Sequence, residues 1–269
     1  MREKPAAVSI RSFTSSESGA WSNAYLISGR SEIVLFDVPM LRSDAARLAD
    51  VIDRSNKSLA TVMISHAHPD HFLSLDVIAE RFPKTQITST ANVAEDLKED
   101  GPGIFTLLKD KLGAEGPTRL VFPEPLQAPA LRIEGTVLEV VEFGQAESRH
   151  TATLYVPSLE ALVCADLVYN NAHLYLAERR LEGWLARLNE LETFARDRIL
   201  TIHPGHGPAG DLQLIEQTRR YLRDFAEATA TDDAKTCEQQ LLAKYPDYHV
   251  RQFLTAFSIP AYFTSAGRA

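Results

Sequence analysis

Residues 64 to 71 concentrate side chains that bind metal ions. The sequence Ile-Ser-His-Ala-His-Pro-Asp-His places His66, His68, Asp70 and His71 within six residues. Imidazole nitrogens and carboxylate oxygens are ligands that divalent ions such as zinc accept. A turn that is rich in histidine by chance is the alternative, and the density of ligand types disfavours it. The segment therefore predicts a metal site.

The residues before this segment indicate how the ligands are positioned. Residues 61–64, Thr-Val-Met-Ile, are apolar and rich in β-branched side chains, which predicts a buried strand. The ligands would then lie in the loop at the end of that strand. A strand directs successive side chains to opposite faces, whereas a loop can turn all four toward one point.

Three more candidate ligands follow strand-like runs further along the chain. His150 lies in Glu-Ser-Arg-His after residues 137–143, and Asp166 lies in Cys-Ala-Asp-Leu after residues 161–164. His206 lies in His-Pro-Gly-His-Gly after residues 198–202. In order and local context, these residues resemble the pattern of the metallo-β-lactamase superfamily, HxHxDH followed by a histidine, an aspartate and a histidine. The resemblance covers roughly residues 20 to 210.

The resemblance implies an α+β fold, an αββα sandwich, that carries two divalent ions. Zinc is the first expectation, with iron or manganese as alternatives. The implied ligands are His66, His68 and His150 for the first ion, Asp70, His71 and His206 for the second, and Asp166 as the bridge between them.

By the same resemblance, a hydroxide held by the two ions is the nucleophile, because metal coordination strongly lowers the pKa of water. We assign catalytic roles to Asp70 and Tyr169. Tyr169 follows Asp166 by three residues, a spacing at which lactone-hydrolysing members carry a tyrosine that can bond the substrate carbonyl. Simple packing of an aromatic ring is the alternative for Tyr169.

The function predicted from these residues is hydrolysis of a small carbonyl ester, with a lactone as the first candidate. A β-lactam, another amide or a thioester is the alternative on the same site. A mononuclear iron enzyme like the persulfide dioxygenases and a binding protein with a vestigial site are further alternatives, and the complete ligand set disfavours both. Residues 149–153, Arg-His-Thr-Ala-Thr, depart from the Gly-His-Thr-Pro-Gly run that is usual in the lactonase-like and thioesterase-like branches, which keeps the histidine but disfavours glyoxalase II.

Composition limits the domain organisation and the kinds of binding partner that the chain can have. The chain has 269 residues, 45% hydrophobic and 24% charged, which is enough for one large domain or a core with an appendage. We predict a core of residues 1–210 and a C-terminal helical extension, residues 211–269, packed on it. The net charge of −8 argues against a nucleic-acid groove.

No apolar run has the length of a signal peptide or a membrane span. Cys164 and Cys237 occur in unlike contexts, which argues against a structural disulfide and favours reduced thiols. We therefore predict a cytoplasmic enzyme with a small-molecule substrate and with no nucleic-acid or membrane partner. Whether the chain forms a homodimer is left open.

The hydrophobic pattern predicts several elements around these ligands. Strands are expected at residues 24–27 and 32–36, and helices at 43–52 with Ser43 as N-cap, at 71–82, and from Leu181. Turn residues at 100–103 predict an irregular segment between 95 and 130, either a lid or a surface excursion. Two helices are expected at 212–229 and 234–245, followed by an aromatic tail at 249–263 that covers the core, borders the site or mediates self-association.

Four further aromatic or imidazole side chains are considered as neighbours of the site. Trp21 is a candidate pocket wall, and Trp184 is expected in the core. His173 is expected either at the pocket rim or exposed to solvent. His203 is expected behind the metal ligands or in solvent, because resemblance assigns the ligand of its pair to His206.

Overall fold

Two β-sheets pack face to face in the computed structural model, which describes residues 7–231 and 233–264. The first sheet has the strand order β1-β2-β3-β4-β5-β6. Its strands are β1 (Ser9–Thr14), β2 (Asn23–Ser28), β3 (Glu32–Phe36), β4 (Ser58–Met63), β5 (Gln86–Ser89) and β6 (Glu124–Pro125). The second sheet has the order β11-β10-β9-β8-β7. Its strands are β7 (Ala130–Ile133), β8 (Thr136–Gly144), β9 (His150–Val156), β10 (Ala161–Tyr169) and β11 (Thr201–His206).

Helices cover the outer faces of both sheets. They are α1 (Arg42–Arg54), α2 (Pro69–Phe72), α3 (Leu75–Arg81), α4 (Ala91–Leu112), α5 (Leu181–Ala195), α6 (Gln213–Ala228), α7 (Ala234–Lys244) and α8 (Ile259–Thr264). Apolar residues of α1, α3 and α4 share one core with the first sheet and the inner face of the second. Apolar residues of α5, α6 and α7 share another core with the second sheet. The predicted αββα sandwich is confirmed.

Parallel strand pairs position the candidate site. Strand β3 runs parallel to β4, and β10 runs parallel to β11. The carboxyl ends of parallel strands meet at the same edge of a sheet, so residues that follow β3 and β4 lie close together. All nine residues of β10 are buried, which is why that strand is a nearly continuous apolar run with Asp166 as an exception.

Most of the predicted elements are confirmed, and two local predictions are wrong. Helix α1 begins at Arg42 with Leu41 as its N-cap, so Ser43 lies inside the first turn and does not cap it. The backbone N–H of Ser43 instead donates to Glu115 Oε2 at 2.9 Å. The turn expected at 100–103 is helical, because α4 continues across Gly101, Pro102 and Gly103. Packing of its apolar residues against the sheets overrides the local preference for a turn.

The C-terminal residues contact the rest of the chain closely. Leu222 and Phe225 of α6 and Leu241 of α7 belong to the same core as residues of β10. Residues 253–258 form a π-helical segment, and its Phe253 ring lies 5.3 Å from the ring of His206. The tail therefore borders the candidate site, whereas the domain boundary at 210 and 211 stays a prediction.

Two further expectations concern cysteines and membrane segments. Cys164 and Cys237 are both buried and unpaired, and Cys164 packs in the core as expected. None of the helices in residues 7–231 and 233–264 combines the length and apolar character needed to cross a membrane.

Candidate metal centre

One group of candidate ligand atoms comes from a short helix and the end of a strand. Asp70, His71 and His206 each place one donor atom within 4.8 Å of the other two. Asp70 Oδ2 lies 3.4 Å from His71 Nε2 and 3.3 Å from His206 Nε2. Pro69 at the start of α2 provides the φ angle that the first helical turn needs, which brings Asp70 and His71 round from the loop. We call this group the second position, as in the family pattern.

Asp166 lies between this group and His66. His66, His71 and Asp166 form another set of donors within 4.8 Å of one another. Asp166 Oδ1 is 3.2 Å from His71 Nε2, and Asp166 Oδ2 is 3.2 Å from His206 Nε2. This location is the one expected for a bridging carboxylate.

Backbone geometry makes room for the Asp166 carboxylate. A Cβ at Gly205 would lie only 1.7 Å from Asp166 Oδ1, so no larger residue fits there without displacing that carboxylate. Ala165, next to Asp166, has a φ of 47°, and the pairing of β10 with β11 is irregular on both sides of it. A left-handed alanine is strained, and such strain is concentrated at functional sites.

A second cluster of donors, which we call the first position, contains an unexpected carboxylate. His66, His68 and Glu147 place their ligand atoms within 4.8 Å of one another. Glu147 Oε1 lies 2.8 Å from His68 Nδ1, and Glu147 Oε2 lies 3.7 Å from His66 Nε2. The Glu147 side chain is fully buried.

The structure does not bring His150 into any of these groups. Its Nδ1 lies 2.8 Å from Asp96 Oδ2, and its side chain is 29% exposed. The other six predicted ligands, His66, His68, Asp70, His71, Asp166 and His206, all belong to the groups. Glu147 was missed because a histidine was expected, although a carboxylate in the same short segment is also a ligand type for zinc.

Each histidine of the centre has one ring nitrogen fixed by a partner. The Nδ1 of His66 lies 2.8 Å from Ser65 Oγ, that of His71 lies 2.9 Å from Asp37 Oδ2, and that of His206 lies 2.9 Å from the carbonyl of Ala20. His68 is fixed through Nε2, which lies 2.6 Å from Glu178 Oε1. These contacts leave Nε2 of the first three and Nδ1 of His68 facing the centre, as metal-binding histidines require.

Buried donor atoms without partners test whether the residues fit metal ions. Ten buried side-chain atoms among the described residues have no assigned hydrogen bond, and six of them lie at the centre: His66 Nε2, Asp70 Oδ2, His71 Nε2, both carboxylate oxygens of Glu147, and Asp166 Oδ1. An unpaired buried polar atom costs about 1–3 kcal/mol, more when it is charged. Because all six belong to the three groups, the residues fit divalent ions, whose positive charge would satisfy them.

The charges around the centre shift the pKa values of its side chains. Burial lowers the pKa of His66 well below its ordinary value, which favours the neutral imidazole that binds metal. Burial also lowers the pKa of His206, but the negative charge of Asp166 outweighs it and raises that pKa to about 9. Burial raises the pKa of Glu147 to about 8 against the opposing charge of His68.

Tyr169, predicted to be catalytic, also lies at the centre. Its hydroxyl donates a hydrogen bond to Asp166 Oδ2, and its ring stacks on His206 with the ring centres 4.7 Å apart. Burial and the negative charge of Asp166 raise the pKa of Tyr169 well above its usual range. The hydroxyl is therefore protonated at neutral pH and is able to donate.

Aromatic side chains form a wall over one side of the centre. The ring of Tyr175 lies 5.1 Å from His68, 5.5 Å from Phe253 and 5.9 Å from Phe257. Phe257 is 46% exposed, so the wall reaches the surface. This wall combines the loop before α5 with the π-helical segment of the C-terminal tail.

The other candidates lie around this centre or in the core. Trp21 stacks on His249 with ring centres 3.8 Å apart, next to Ala20, whose carbonyl contacts His206. Trp184 is buried in the core as predicted. His173 is fully buried, with Nδ1 at 2.8 Å from the Tyr221 hydroxyl, so the expectation of a rim or exposed residue is wrong. His203 is half-buried against the edge of Tyr25, behind the ligands.

Comparisons with known proteins agree with this fold and site. The sequence model described as the metallo-beta-lactamase superfamily matches residues 22–206. A solved metallo-beta-lactamase from Pontibacter korlensis has a TM-score of 0.61 and 18% identity, covering 81% of this chain and 99% of that chain. The metallo-beta-lactamase DIM-1 has a TM-score of 0.61 and 15% identity, covering 82% of this chain and 98% of its own.

A sequence relative matches only part of the chain. The uncharacterized protein YobT of Bacillus subtilis (strain 168) is 31% identical over 65 residues, which are 24% of this chain and 28% of that protein. The match of the superfamily model over most of the chain is decisive. The chain belongs to the metallo-beta-lactamase superfamily, and it is a metal-dependent hydrolase.

Proposed function

We propose that this hydrolase cleaves a small carboxylic ester, with a lactone as the first substrate class, at a centre of two divalent ions, zinc being the first choice. The observation that carries the proposal is the set of six unpaired buried donor atoms, which belong to two adjacent positions joined by Asp166. A dinuclear centre needs this arrangement, and one ion alone would leave some of these atoms unpaired.

The chain's own residues have distinct roles in this proposal. When bound, two divalent ions supply Lewis acidity and lower the pKa of a water molecule toward about 7. Asp166 holds the two positions together, and Asp70 contributes a carboxylate that faces both His71 and His206. Tyr169 supplies a protonated hydroxyl whose single hydrogen can turn from Asp166 Oδ2 to a substrate carbonyl oxygen as negative charge develops there.

The surroundings of the centre support a compact, partly apolar substrate. Tyr175, Phe253 and Phe257 provide an apolar wall beside His68, and such a wall can bind apolar groups by burying their surface. The net charge of −8 disfavours a polyanionic substrate such as nucleic acid. We therefore include a small-molecule substrate in the proposal. A cytoplasmic location of the enzyme is also part of it.

A second candidate function rests on the ligand types of the first position. Two histidines and one carboxylate, here His66, His68 and Glu147, are also the set that holds iron in non-haem oxygenases. An iron-dependent oxidoreductase like the persulfide dioxygenases would use this position alone. The complete second position counts against this alternative.

The test combines metal analysis with substrate assays. Protein purified without added metal is analysed for zinc, iron and manganese per chain, and then assayed with lactone, β-lactam, thioester and persulfide substrates. We expect two ions per chain and fastest turnover of a lactone. One iron per chain together with oxygen consumption on a persulfide would replace the hydrolase proposal with the second candidate. Faster hydrolysis of a β-lactam or thioester would change the substrate class only.

A further inference from the structure

Glu147 lies at the tip of the turn that joins β8 to β9. The backbone N–H of Gln145 donates to the carbonyl of Arg149, and that of Ala146 donates to the carbonyl of Ser148. These two bonds close the turn and leave Glu147 at its centre. The turn therefore presents Glu147 toward His66 and His68, which come from the loop after β4.

The environment of Glu147 requires a positive charge. The side chain is fully buried; Oε1 lies 2.8 Å from His68 Nδ1, Oε2 lies 3.7 Å from His66 Nε2, and these two imidazoles are its polar contacts among the described residues. A buried carboxylate without partners is costly, and buried carboxylates in proteins are paired or coordinate metals. Within residues 7–231 and 233–264, no arginine or lysine forms an ion pair with this carboxylate.

The His150 side chain lies outside the group formed by His66, His68 and Glu147. It is the first residue of β9, where it pairs with Gly144, and the next residue, Thr151, is fully buried. Successive residues of a strand face opposite sides, so His150 points away from the side that buries Thr151. Its ring contacts Asp96 of α4, as does the guanidinium of Arg149.

From these observations we propose that Glu147, and not His150, is the third protein ligand of the first metal position. The inference rests on the proposed metal centre and changes its chemistry. Three carboxylates, Asp70, Glu147 and Asp166, would then balance two divalent ions, where the family pattern has two carboxylates and one more neutral imidazole. An oxygen ligand at this position suits harder ions such as manganese and ferrous iron as well as zinc.

The experiment compares two matched truncations, Glu147→Ala and His150→Ala, in the full-length protein. Each variant is loaded with zinc and dialysed against a fixed free zinc concentration, and bound zinc is then measured by elemental analysis. We expect about two ions per chain in the parent and in His150→Ala, and about one in Glu147→Ala. The zinc affinity of the first position should fall by at least the ten- to hundredfold that loss of a supporting partner costs.

Thermal unfolding provides a second readout that does not depend on activity. Zinc raises the unfolding temperature of the parent because it binds only the folded state. This rise should shrink in Glu147→Ala and stay unchanged in His150→Ala.

Nitrogen NMR of histidine side chains tests the proposal in the parent protein, so that a variant that fails to fold does not block the decision. On zinc loading, the ring nitrogens of His66 and His68 should shift to metal-bound values, and those of His150 should stay where they are. Metal-type shifts of His150, or loss of an ion from His150→Ala but not from Glu147→Ala, would overturn the proposal. Two ions retained in both variants would also overturn it.

These outcomes separate this inference from the proposed function. If His150 proves to be the ligand, the assignment of Glu147 fails while the dinuclear hydrolase stands. If the parent binds no divalent ion at all, both proposals fail together.

Discussion

The two metal positions differ in how deeply the fold encloses them. At the second position, the side chains of His71 and His206 are fully buried, and Asp166 is 2% exposed. At the first position, His66 and Glu147 are also fully buried, but His68 is 14% exposed and its partner Glu178 is 28% exposed. The second position is therefore part of the packed interior, whereas the first is open toward solvent on the side of His68.

The two positions also differ in the structural elements that supply their side chains. The second position takes its ligands from α2 and β11 and its support from Asp37 and the carbonyl of Ala20, all fixed by packing. The first position takes Glu147 from a turn and is bordered by the Tyr175 side chain and the C-terminal segment. Turns and chain ends vary more readily than packed elements, so the first position is the place where ligand type and substrate contacts can change.

The largest expected effect is that of Asp166→Ala, because Asp166 supplies the carboxylate that lies between the two positions. Removing its carboxylate takes away one of the two carboxylates that face Nε2 of both His71 and His206, the other being that of Asp70. We expect bound metal and hydrolysis to fall together, the rate by more than about a hundredfold, a loss that exceeds what removing a supporting partner costs. Elemental analysis and kinetics provide the measurement.

Circular dichroism should show that Asp166→Ala keeps most of the fold. Retention of both ions in this variant would mean that another group joins the two positions. Loss of one ion alone would show that the positions are independent, and the contrast between them would then be stronger than the structure indicates.

The predicted ligands that the structure brings together lie in or next to regular elements. His66, His68, Asp70 and His71 form one short motif after a strand, and a contiguous motif brings its own residues together. Asp166 and His206 lie within buried parallel strands whose ends meet at one edge. In these cases, local spacing and sheet geometry were sufficient.

The third ligand of the first position could not be located in the same way. Glu147 and His150 are three residues apart, and which of them faces the centre depends on where β8 ends and β9 begins. A shift of one residue in a strand moves a side chain to the other face. Backbone hydrogen bonds within residues 145–149 set this register. The spacing of the candidate ligands in the sequence does not reveal these bonds.

The residues that hold the histidine rings in place were also not predicted from the sequence. Asp37 follows β3 and has a left-handed φ of 66°, and it lies 28 positions before Ser65, which it also bonds. Helix α4 supplies Asp96 to His150 from a segment that was expected to be irregular. Contacts between residues so distant in the chain follow from packing of whole elements.

The next largest effect should be that of Gly205→Ala, which tests whether the bridge depends on close approach of the backbone. Its Cβ would lie 1.7 Å from Asp166 Oδ1 and 2.9 Å from the backbone carbonyl carbon of Ala165, so the carboxylate must move. We expect hydrolysis to fall by about a hundredfold, since misplacement by about 1 Å can cost that much. Bound metal should fall with it.

Gly103→Ala is the matched control for Gly205→Ala. Gly103 lies inside α4, and a Cβ added there would meet nothing within 4 Å. Alanine is the better helix former by roughly 0.5–1 kcal/mol, so this variant should be as active as the parent and slightly more stable. Full activity and full metal content in Gly205→Ala would show that the site tolerates a displaced Asp166.

Tyr169→Phe separates chemistry from metal binding. The hydroxyl bonds Asp166, while the ring packs on His206, and phenylalanine preserves the ring. If the hydroxyl donates to the substrate carbonyl, turnover should slow by about ten- to a hundredfold with metal content unchanged. A rate within about twofold of the parent would assign Tyr169 to packing alone.

The smallest effects on the loaded enzyme should come from Asp37→Asn and Glu178→Gln, which remove the charge behind one histidine at each position. Asp37 is fully buried against His71, so its replacement should lower zinc affinity at the second position by about ten- to a hundredfold. Glu178 is partly exposed and solvent screens its charge, so its replacement should lower affinity at the first position by less than about tenfold. Competition with a chelator measures both affinities, and at saturating zinc both variants should turn over at nearly the parent rate. Equal losses of affinity, or a larger loss for Glu178→Gln, would show that burial does not decide how firmly the two positions hold their ions.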